Sequence, residues 1–466
     1  MGAPDTAHRP HPSESDFVNK PLDLSMRDGF LAKVADRTIV VGIVGLGYVG
    51  LPLAEAYARQ GIRVVGYDID PARAALLNGG QSGMRHIEDA RVASMVEGGL
   101  FRATADAGAL AEADAVLIAV PTPLDEHHQP DLSYVRSTCA TLAGVLRRGQ
   151  LVVLESTTYP GTTQEVMAPI LETSGLRAGE DFALAYSPER EDPGNPDFET
   201  STIPKVVGAD GPQARAMAKA VYDLIVDTVM VSDSKTAEAT KLVENIYRWI
   251  NIAAVNEMKV IFEAMGIDIW EVIDAAKTKP FGFQAFYPGP GVGGHCIRID
   301  PYYLSYKARE HGISTQFIEL AGEINTHMPR RIIMRLMEEM SLRHRKALAG
   351  SRVLLCGLAY KRDIDDMRES PSLELVDILK SHGAEVEYHD PMIAEITPNR
   401  NHPEFAGMRS VPFDADTLAG FDAAVIATDH TMVDYDLLCR SVPLVVDTRN
   451  ATSAIADHYP GVVVKA

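Results

Sequence analysis

The segment RTIVVGIVGLGYVGLP, residues 37–52, decides the fold that we expect for this chain. Its first eight residues form a mostly apolar run that leads into glycines, which predicts a buried parallel strand. A helical pattern follows from Pro52 to Gln60, and a second apolar run extends from Arg63 to Tyr67. This order of strand, glycine-rich turn, helix and strand is typical of the opening of a doubly wound α/β sheet.

The turn has the spacing Gly45-x-Gly47-x-x-Gly50. In a dinucleotide-binding turn the first glycine allows the tight bend, the second lets a pyrophosphate approach the backbone, and the third lets helix and strand pack closely. Asp68 follows the next strand, where a carboxylate accepts from ribose hydroxyls and repels a 2′-phosphate. The pattern predicts NAD rather than NADP, although Arg73 is a residue type that serves either cofactor. The alternative is a turn that merely needs glycines.

The same pattern continues and then repeats. Further buried strands are predicted at residues 113–120 and 151–154, and a second series of strands begins at Arg352 with RVLLCG. Between the two series, apolar residues recur at helical spacing from Ala237 to Met265, which predicts one long helix. The predicted fold class is α/β, with two Rossmann-like doubly wound parallel-sheet domains joined by a long central helix.

Composition excludes several classes of protein. The chain has 466 residues, with 44 Lys and Arg against 64 Asp and Glu, a net charge of −20. Such a surface repels phosphate backbones, so we expect no nucleic-acid partner. No apolar run approaches the ~20 residues of a membrane helix, and the polar first 26 residues do not resemble a signal peptide. We therefore expect a cytoplasmic protein with no membrane partner.

Four cysteines occur, and their spacing favours reduced thiols over disulfides or metal ligands. One of them, Cys296, lies in the segment Gly-Val-Gly-Gly-His-Cys-Ile-Arg-Ile-Asp, residues 291–300, at the end of a loop dense in proline and glycine. A thiolate in such a turn attacks carbonyl carbons, and Asp300 is placed to activate water or orient a base. The alternative is a buried cysteine that acts as a small apolar residue.

The predicted central helix has a polar stripe. Lys241, Asn245 and Arg248 lie at positions i, i+4 and i+7, so they project from one face of the helix. Asparagine is a weak helix former, and Asn251 and Asn256 add to the amides of this helix. The stripe indicates either a ligand site or a solvated helix face.

Three further polar segments come after predicted strands, where ligands bind in open α/β sheets. They are Glu-Ser-Thr-Thr158, Ser-Pro-Glu189-Arg190, and the segment from Gly357 that contains Lys361 and Arg368. The first two are equally compatible with ordinary turns and helix caps. The third lacks the glycine fingerprint; its two cations are suited to a diphosphate, or they are simply surface charges.

Taken together, these segments resemble the UDP-glucose/GDP-mannose dehydrogenase family over about residues 38–460. The resemblance rests on GLGYVGLP, VPTPL, ESTTYPGTT, SPER, KLVENIYR, PGPGVGGHC and GLAYKRDIDDMRESP. The sequence around the cysteine is most similar to the UDP-N-acetylglucosamine 6-dehydrogenases. Arg248 matches a position that is typically arginine in the N-acetylhexosamine enzymes.

The resemblance implies a domain plan. A disordered or extended tail would cover residues 1–36, and an NAD-binding Rossmann-like domain residues 37–231. A central helical segment for dimerisation and catalysis would cover residues 232–330, and a UDP-sugar-binding α/β domain residues 331–466. A homodimer is therefore expected.

The resemblance also implies the reaction. Two NAD⁺ would oxidise the C6 alcohol of a UDP-N-acetylhexosamine, and the similarity favours UDP-N-acetylglucosamine as that substrate. The reaction would pass through a thioester on Cys296 and give the uronate, a precursor for surface polysaccharide synthesis. UDP-N-acetylmannosamine and UDP-glucose are alternative substrates, and a non-catalytic regulator that binds sugar nucleotides is an alternative of another class.

Residue roles carry over with the motifs. The implied catalytic residues are Cys296, Lys241, Asn245, Asp300, Glu189 and Thr158. The implied cofactor site contains Gly45, Gly47, Tyr48, Val49, Gly50, Asp68, Arg73 and Thr122. The implied sugar-nucleotide site contains Arg190, Glu191, Arg248, Gly293, Lys361, Arg368 and Arg449. No metal is implied. One departure is Arg298, where the family pattern GGHCIPIDP has proline.

Overall fold

The computed structural model of the protein describes residues 22–84, 87–125, 127, 129–190, 202–294, 297–399 and 401–466. The chain divides into two compact units, residues 1–243 and 244–466. The division falls inside a long helix, Ser234–Ala264. Each unit is described by itself.

The first unit is built on one sheet. Its described strands are β1 Val40–Val44, β2 Arg63–Tyr67, β3 Phe101–Thr104, β4 Ala115–Ile118, β5 Leu151–Leu154, β6 Ala183–Tyr186, β7 Lys205–Ala209 and β8 Thr228–Met230. The strand order is β3-β2-β1-β4-β5-β6-β7-β8. The first six pair in parallel, in the order 3-2-1-4-5-6 of dinucleotide-binding sheets. The predicted parallel sheet is confirmed, and β7 extends it antiparallel to β6.

Helices connect these strands. They are α1 Leu24–Ala35, α2 Gly50–Arg59, α3 Pro71–Asn78, α4 Asp89–Glu97, α5 Ser133–Ala143, α6 Ala168–Leu171, α7 Pro212–Tyr222 and α8 Ser234–Ala264. The apolar run at β1 forms a strand because both faces are covered: all five residues of Val40–Val44 are buried. The predicted long central helix is confirmed as α8.

Helix α1 corrects the prediction of a disordered or extended tail over residues 1–36. Residues 1–21 lie outside the described residues, but Leu24–Ala35 is helical. Asp23 caps the helix by accepting from the backbone N–H of Ser25 at 2.9 Å. Phe30 is buried in the core, and Lys33 forms an ion pair with Asp114 at 2.7 Å. The apolar residues of this helix lack helical spacing, so the sequence pattern did not predict it. Its stability therefore depends on tertiary contacts.

The second unit contains a smaller sheet. Its described strands are β9 Arg352–Cys356, β10 Glu385–His389, β11 Ala423–Ile426, β12 Val445–Asp447 and β13 Val463–Lys465. They pair in parallel in the order β10-β9-β11-β12-β13. The described helices are α9 Ile269–Ala276, α10 Asp300–Glu310, α11 Gln316–Glu339, α12 Pro371–Ser381, α13 Ala415–Leu418 and α14 Tyr435–Ser441. The second predicted α/β sheet is confirmed.

A small cluster of buried apolar side chains positions the loop that precedes α10. Val292 and Ile297 are buried together with Trp249 and Ala253 of α8 and Ala321 of α11. These contacts hold the chain on both sides of residues 295 and 296, which lie outside the described residues.

Among the helices that the structure describes, none is long and apolar enough to cross a membrane.

Candidate active site and nucleotide-binding sites

The turn after β1 has the geometry that its glycines predict. Gly45 adopts φ +89°, and a Cβ there would lie 2.6 Å from the Ala119 carbonyl oxygen. A Cβ on Gly50 would lie 1.8 Å from the Gly45 carbonyl oxygen, whereas one on Gly47 would meet nothing within 4 Å. Gly45 and Gly50 are therefore required by the turn itself, and Gly47 leaves open space for a ligand.

Asp68 and Arg73 both hold this turn. Asp68 Oδ2 accepts from the backbone N–H of Leu46 and Oδ1 from that of Asp70, each at 3.0 Å. Arg73 donates from Nε and Nη2 to the Leu46 carbonyl at 3.1 and 2.9 Å, and from Nη1 to the Ser82 carbonyl. Burial lowers the pKa of Arg73. Because its donors are engaged by backbone carbonyls, Arg73 is poorly placed to bind a 2′-phosphate, which favours NAD.

The remaining predicted cofactor residues lie at the same edge of the sheet. Val49 is the residue before α2, and no side chain caps that helix, so its N-terminus is open to a phosphate. Tyr48 is exposed beside it, and Thr122 is buried a few residues after β4.

The ends of β5 and β6 form the next part of this edge. Leu154 pairs with Tyr186, so the residues that come after each strand are neighbours. Thr158 is fully buried and donates to Thr162 Oγ1. Glu238 of α8 fixes this segment by accepting from the N–H groups of Gly161 and Thr163 at 2.5 and 2.9 Å. Burial raises the pKa of Glu238 to about 8.

Glu189 connects two lysines. Its backbone carbonyl accepts from Lys241 Nζ at 2.5 Å. Its carboxylate accepts from Lys205 Nζ at 3.0 Å through Oε2 and from the backbone N–H of Arg190 at 2.8 Å through Oε1. The structure thus brings together Lys241 and Glu189, two of the predicted catalytic residues.

Sequence reasoning missed Lys205. This lysine is 4% exposed, forms a second ion pair with Glu155 at 2.8 Å, and lies 5.7 Å from the centre of the Tyr222 ring. Tyr222 donates its hydroxyl to Glu155. The sequence does contain an indication of this site. A lysine is the first residue of the apolar strand KVVGA, and a lysine is rarely buried without a charged partner.

In the second unit, Asn245 of α8 contacts Asp300. The amide Nδ2 of Asn245 donates to Asp300 Oδ2, and both side chains are buried. Asp300 is the first residue of α10. Two predicted catalytic residues therefore meet directly after the cysteine loop, while Cys296 itself lies outside the described residues. Arg248, a turn further along α8, is exposed.

The glycines before the cysteine pack against the segment between β9 and α12. A Cβ on Gly293 would lie 2.5 Å from Tyr360 Cβ and 3.0 Å from Pro371 Cδ, so only glycine fits there without displacement. Arg298 Nη1 lies 3.7 Å from Glu369 Oε2, where both side chains are partly exposed. The arginine that replaces the family's proline thus contacts the segment that carries Lys361 and Arg368.

The predicted nucleotide cations of the second unit differ in setting. Lys361 is half-buried, and Arg368 forms an ion pair with Asp366 at 2.7 Å. Arg449 donates from Nε to the Ala427 carbonyl at 2.9 Å, and burial lowers its pKa to about 10. At neutral pH Arg449 is still a cation in a poorly solvated place, which suits it to a diphosphate.

Two predicted substrate residues remain. Arg190 Nη1 donates to the Pro204 carbonyl at 2.7 Å. Glu191 lies outside the described residues.

The other cysteines are poor nucleophiles. Cys139, Cys356 and Cys439 are free and buried. Burial raises the pKa of Cys139 and of Cys439 to about 12, and that of Cys356 still further above the ordinary value. These thiols stay protonated at neutral pH, so none of the three provides a thiolate.

Family models match most of the chain. The NAD binding domain of the UDP-glucose/GDP-mannose dehydrogenase family matches residues 39–226, its central domain residues 235–327 and its UDP binding domain residues 354–454. The chain belongs to this family. It is an NAD-dependent oxidoreductase of nucleotide sugars, as the turn after β1 and the sequence motifs predict.

Similar proteins act on N-acetylated sugars. UDP-N-acetyl-D-glucosamine 6-dehydrogenase of Pseudomonas aeruginosa is 38% identical over 77% of this chain and 84% of its own length. UDP-N-acetyl-D-mannosamine dehydrogenase of Escherichia coli K12 is 35% identical over 84% and 93%. The solved structure of the UDP-D-ManNAc dehydrogenase of Pyrococcus horikoshii has a TM-score of 0.79 at 34% identity and covers 89% of this chain and 96% of that one.

Proposed function

We propose that the protein oxidises the C6 alcohol of a UDP-N-acetylhexosamine, namely UDP-N-acetylglucosamine, to the uronate with two NAD⁺ and through a thioester on Cys296. The observation that carries this proposal is the buried hydrogen bond between Asn245 and Asp300. It joins the polar stripe of α8 to the residue that opens α10, four positions after the cysteine. A protein that only binds a sugar nucleotide has no need of a buried amide and carboxylate so close in sequence to a cysteine.

The chemistry assigns each proposed catalytic group a task. The C6 alcohol loses a proton and a hydride, and the hydride reduces the first NAD⁺. The Cys296 thiolate then adds to the aldehyde carbon to form a thiohemiacetal, and loss of a second hydride to a second NAD⁺ leaves the thioester. Water cleaves the C–S bond, which releases the carboxylate and regenerates the thiol.

The surrounding residues would assist these steps. Lys241 would stabilise the negative charge that develops on the sugar oxygen, with Asn245 as a hydrogen-bond donor. Glu189 and Asp300 would transfer protons to and from water, and Thr158 would hold that water. The contact of Lys241 Nζ with the Glu189 carbonyl supports a shared task for these two residues.

The sugar nucleotide would be held mainly by cations. Lys361, Arg368 and Arg449 would bind the diphosphate, since a guanidinium pairs well with phosphate oxygens. Arg190, Glu191, Arg248 and the backbone near Gly293 would bind the sugar. Arg449 supports this role because a poorly solvated cation gains most from a bound anion.

The choice of sugar rests on the relatives and on Arg248. UDP-N-acetylmannosamine is the second candidate, because two similar proteins carry that substrate in their names. A UDP-glucose dehydrogenase of Pyrobaculum islandicum is similar at only 28% identity. Arg298 comes two residues after the proposed nucleophile in the sequence and contacts Glu369, so it is a candidate for a further influence on this choice.

The test is NADH release with a panel of these three UDP-sugars. We expect two NADH per UDP-N-acetylglucosamine and at least tenfold higher kcat/KM than for the other two sugars. Cys296→Ala should keep NAD and UDP binding but lose formation of the acid, because no thioester can form. Cys139→Ala is the matched control, since that buried thiol is distant in sequence from the proposed site.

Three outcomes would contradict the proposal. A preference for UDP-glucose would reject the sugar assignment, undiminished acid formation by Cys296→Ala would reject the thioester, and no NADH with any UDP-sugar would favour a binding regulator.

We also propose that the protein is a cytoplasmic homodimer that supplies surface polysaccharide synthesis, with the three domain boundaries that the sequence predicts at residues 37–231, 232–330 and 331–466. Exposed apolar side chains on α8 and α11 support the dimer: Met258, Ile261, Leu320 and Met334 are each more than a third exposed, and the last two line one groove. Light scattering of the purified protein tests this, and a monomer at micromolar concentration would contradict it.

A further inference from the structure

A buried network surrounds Lys205, and of its members only Glu189 takes part in the proposed reaction. It consists of Tyr222, Glu155, Lys205 and Glu189, connected in that order by hydrogen bonds and ion pairs. Glu155 and Glu189 come after β5 and β6, and Lys205 begins β7. Three neighbouring strands thus bring together two carboxylates and one ammonium within the interior of the first unit.

The network is asymmetric. Glu155 is buried completely, and burial raises its pKa. Tyr222 donates to it from behind, and burial beside Glu155 raises the pKa of this phenol well above its usual range, so Tyr222 stays a neutral donor. Glu189 is the more accessible carboxylate, with its side chain 14% exposed. The network therefore has a sealed end at Glu155 and an accessible end at Glu189.

Lys205 stays charged between the two ends. Burial alone would lower the pKa of Lys205, but the adjacent carboxylates of Glu155 and Glu189 outweigh burial and raise it. A buried ammonium that is held by two carboxylates cannot rotate away without leaving a charge unpaired, which is costly. Glu155 and Tyr222 therefore fix the position of the ammonium, and the ammonium fixes the carboxylate of Glu189.

Both oxygens of that carboxylate are engaged. Lys205 Nζ holds Oε2 at 3.0 Å, and the backbone N–H of Arg190 holds Oε1 at 2.8 Å. The same residue accepts from Lys241 through its carbonyl. Among the described residues of this unit, the charged and titratable groups around Glu189 include Lys205 and Lys241 and, behind Lys205, Glu155 and Tyr222.

We propose that Lys205 is a positioning residue for catalysis: braced by Glu155 and Tyr222, its ammonium holds the Glu189 side chain as a carboxylate in one orientation. Lys205 acts only through Glu189 and touches neither substrate nor NAD. This inference rests on the proposed role of Glu189, but it is independent of which UDP-sugar is oxidised and of the thioester.

The test separates positioning from a merely structural role. Lys205→Met alone leaves two buried carboxylates without a cation and is at risk of not folding. The double variant Lys205→Met/Glu155→Gln removes one positive and one negative charge, so the interior keeps its balance while Glu189 loses its partner. Glu155→Gln alone keeps the Lys205–Glu189 contact. Lys219→Met, which removes an exposed lysine of α7, is the matched control.

We measure kcat, KM and the pH dependence of kcat/KM with whichever UDP-sugar the wild type oxidises fastest. The double variant should keep its Tm within a few degrees of the wild type. Its kcat should fall at least tenfold, while the KM for both substrates stays within about threefold. The acidic limb of its kcat/KM profile should move to higher pH. Lys205→Arg should recover part of kcat, because it restores a cation. Glu155→Gln should keep the acidic limb in place.

A double variant that folds and retains the wild-type kcat and pH profile overturns the proposal. If this variant does not fold, Lys205→Gln/Glu155→Gln replaces it under the same criteria. Glu189→Gln separates the role of Glu189 from that of Lys205: full activity there rejects the role of Glu189 and the positioning of Lys205 with it. An impaired Glu189→Gln beside a normal double variant rejects Lys205 alone.

Discussion

The turns after β1 and after β9 have nearly the same backbone but different surroundings. Gly45 and Gly357 have φ values of +89° and +88°, and a Cβ on either would lie within 2.6 Å of a carbonyl oxygen of the neighbouring strand end. In each turn the next residue, Leu46 or Leu358, donates its N–H to an aspartate that comes after the adjacent strand. The chain thus builds the same strand–turn unit twice.

The two turns lead into different elements. Helix α2 begins at Gly50, directly after the first turn, and Asp68 is only partly buried. After Gly357 no helix begins before α12 at Pro371. The corresponding Asp390 is buried, with Oδ2 accepting from Leu358 and Ala359 and in contact with His430 Nε2 at 3.1 Å.

The turn is therefore a shared scaffold, and the elements that surround it select the ligand. The first turn offers a helix N-terminus that no side chain caps and an accessible carboxylate, which suit a pyrophosphate and a ribose. The second turn buries its carboxylate and instead carries Lys361 and Arg368 on an irregular segment, which suit a diphosphate held by side chains.

The largest effect should come from placing a methyl group in each turn. Gly45→Ala and Gly357→Ala both force a Cβ against a backbone carbonyl at positive φ, so each should destabilise its own unit by about 2–4 kcal/mol. Gly45→Ala should abolish NAD binding and leave UDP binding intact, and Gly357→Ala should do the reverse. Calorimetric titration with NAD and with UDP measures both.

Gly47→Ala is the control for folding, because a Cβ there meets nothing within 4 Å. It should keep the Tm of the wild type while NAD binding weakens. If Gly45→Ala or Gly357→Ala lost the binding of both NAD and UDP, the assignment of one ligand to each turn would be wrong.

The second effect concerns the buried aspartate. Asp390→Asn should destabilise the second unit by about 2–3 kcal/mol, because its charge receives two N–H groups and His430, while the Kd for NAD stays unchanged. Burial alone would raise the pKa of Asp390, but His430 and the two N–H groups outweigh burial and lower it. Its contribution to stability is therefore present above the ordinary carboxyl pKa and is lost as pH falls through the lowered one.

Scanning calorimetry from about pH 6 down to about pH 3 checks this sign. The gap in Tm between wild type and Asp390→Asn should narrow as the pH falls, because the asparagine does not titrate. A gap that widens in acid would contradict the assignment.

The smallest effect should be that of the accessible aspartate. Asp68→Asn should weaken NAD binding by about tenfold, which is the loss of one charged hydrogen bond to a ribose hydroxyl. Its effect on stability should stay below about 1 kcal/mol, since the amide oxygen still accepts from Leu46 and only the exposed hydrogen bond from Asp70 is lost. Fluorescence titration with NAD measures the first quantity and denaturant unfolding the second; an unchanged Kd would remove Asp68 from the cofactor site.

Local patterns in the sequence predicted the parts of the molecule that depend on local geometry. The roles of Gly45 and Gly50 result from spacing alone, because the turn is completed within six residues. Strands β2 and β5 have the predicted bounds because their apolar residues and flanking turns decide them.

Long-range contacts escaped prediction. Lys205 meets Glu155 and Glu189 across three strands, and no spacing in the sequence encodes that meeting. The same holds for His430 with Asp390, and for α1, which depends on the contact of Lys33 with Asp114. Polar groups in the interior are satisfied by partners far along the chain, and only the fold reveals which partners these are.

The buried state of Cys139, Cys356 and Cys439 has a practical consequence for chemical labelling. An electrophilic reporter added to the folded protein finds three neutral sulfurs that it cannot reach, so none of them competes for the label. On the proposed mechanism the reporter then marks Cys296, and the number of labels per chain counts competent sites. Mass spectrometry of the intact protein would turn this count into an active-site titration that needs no substrate.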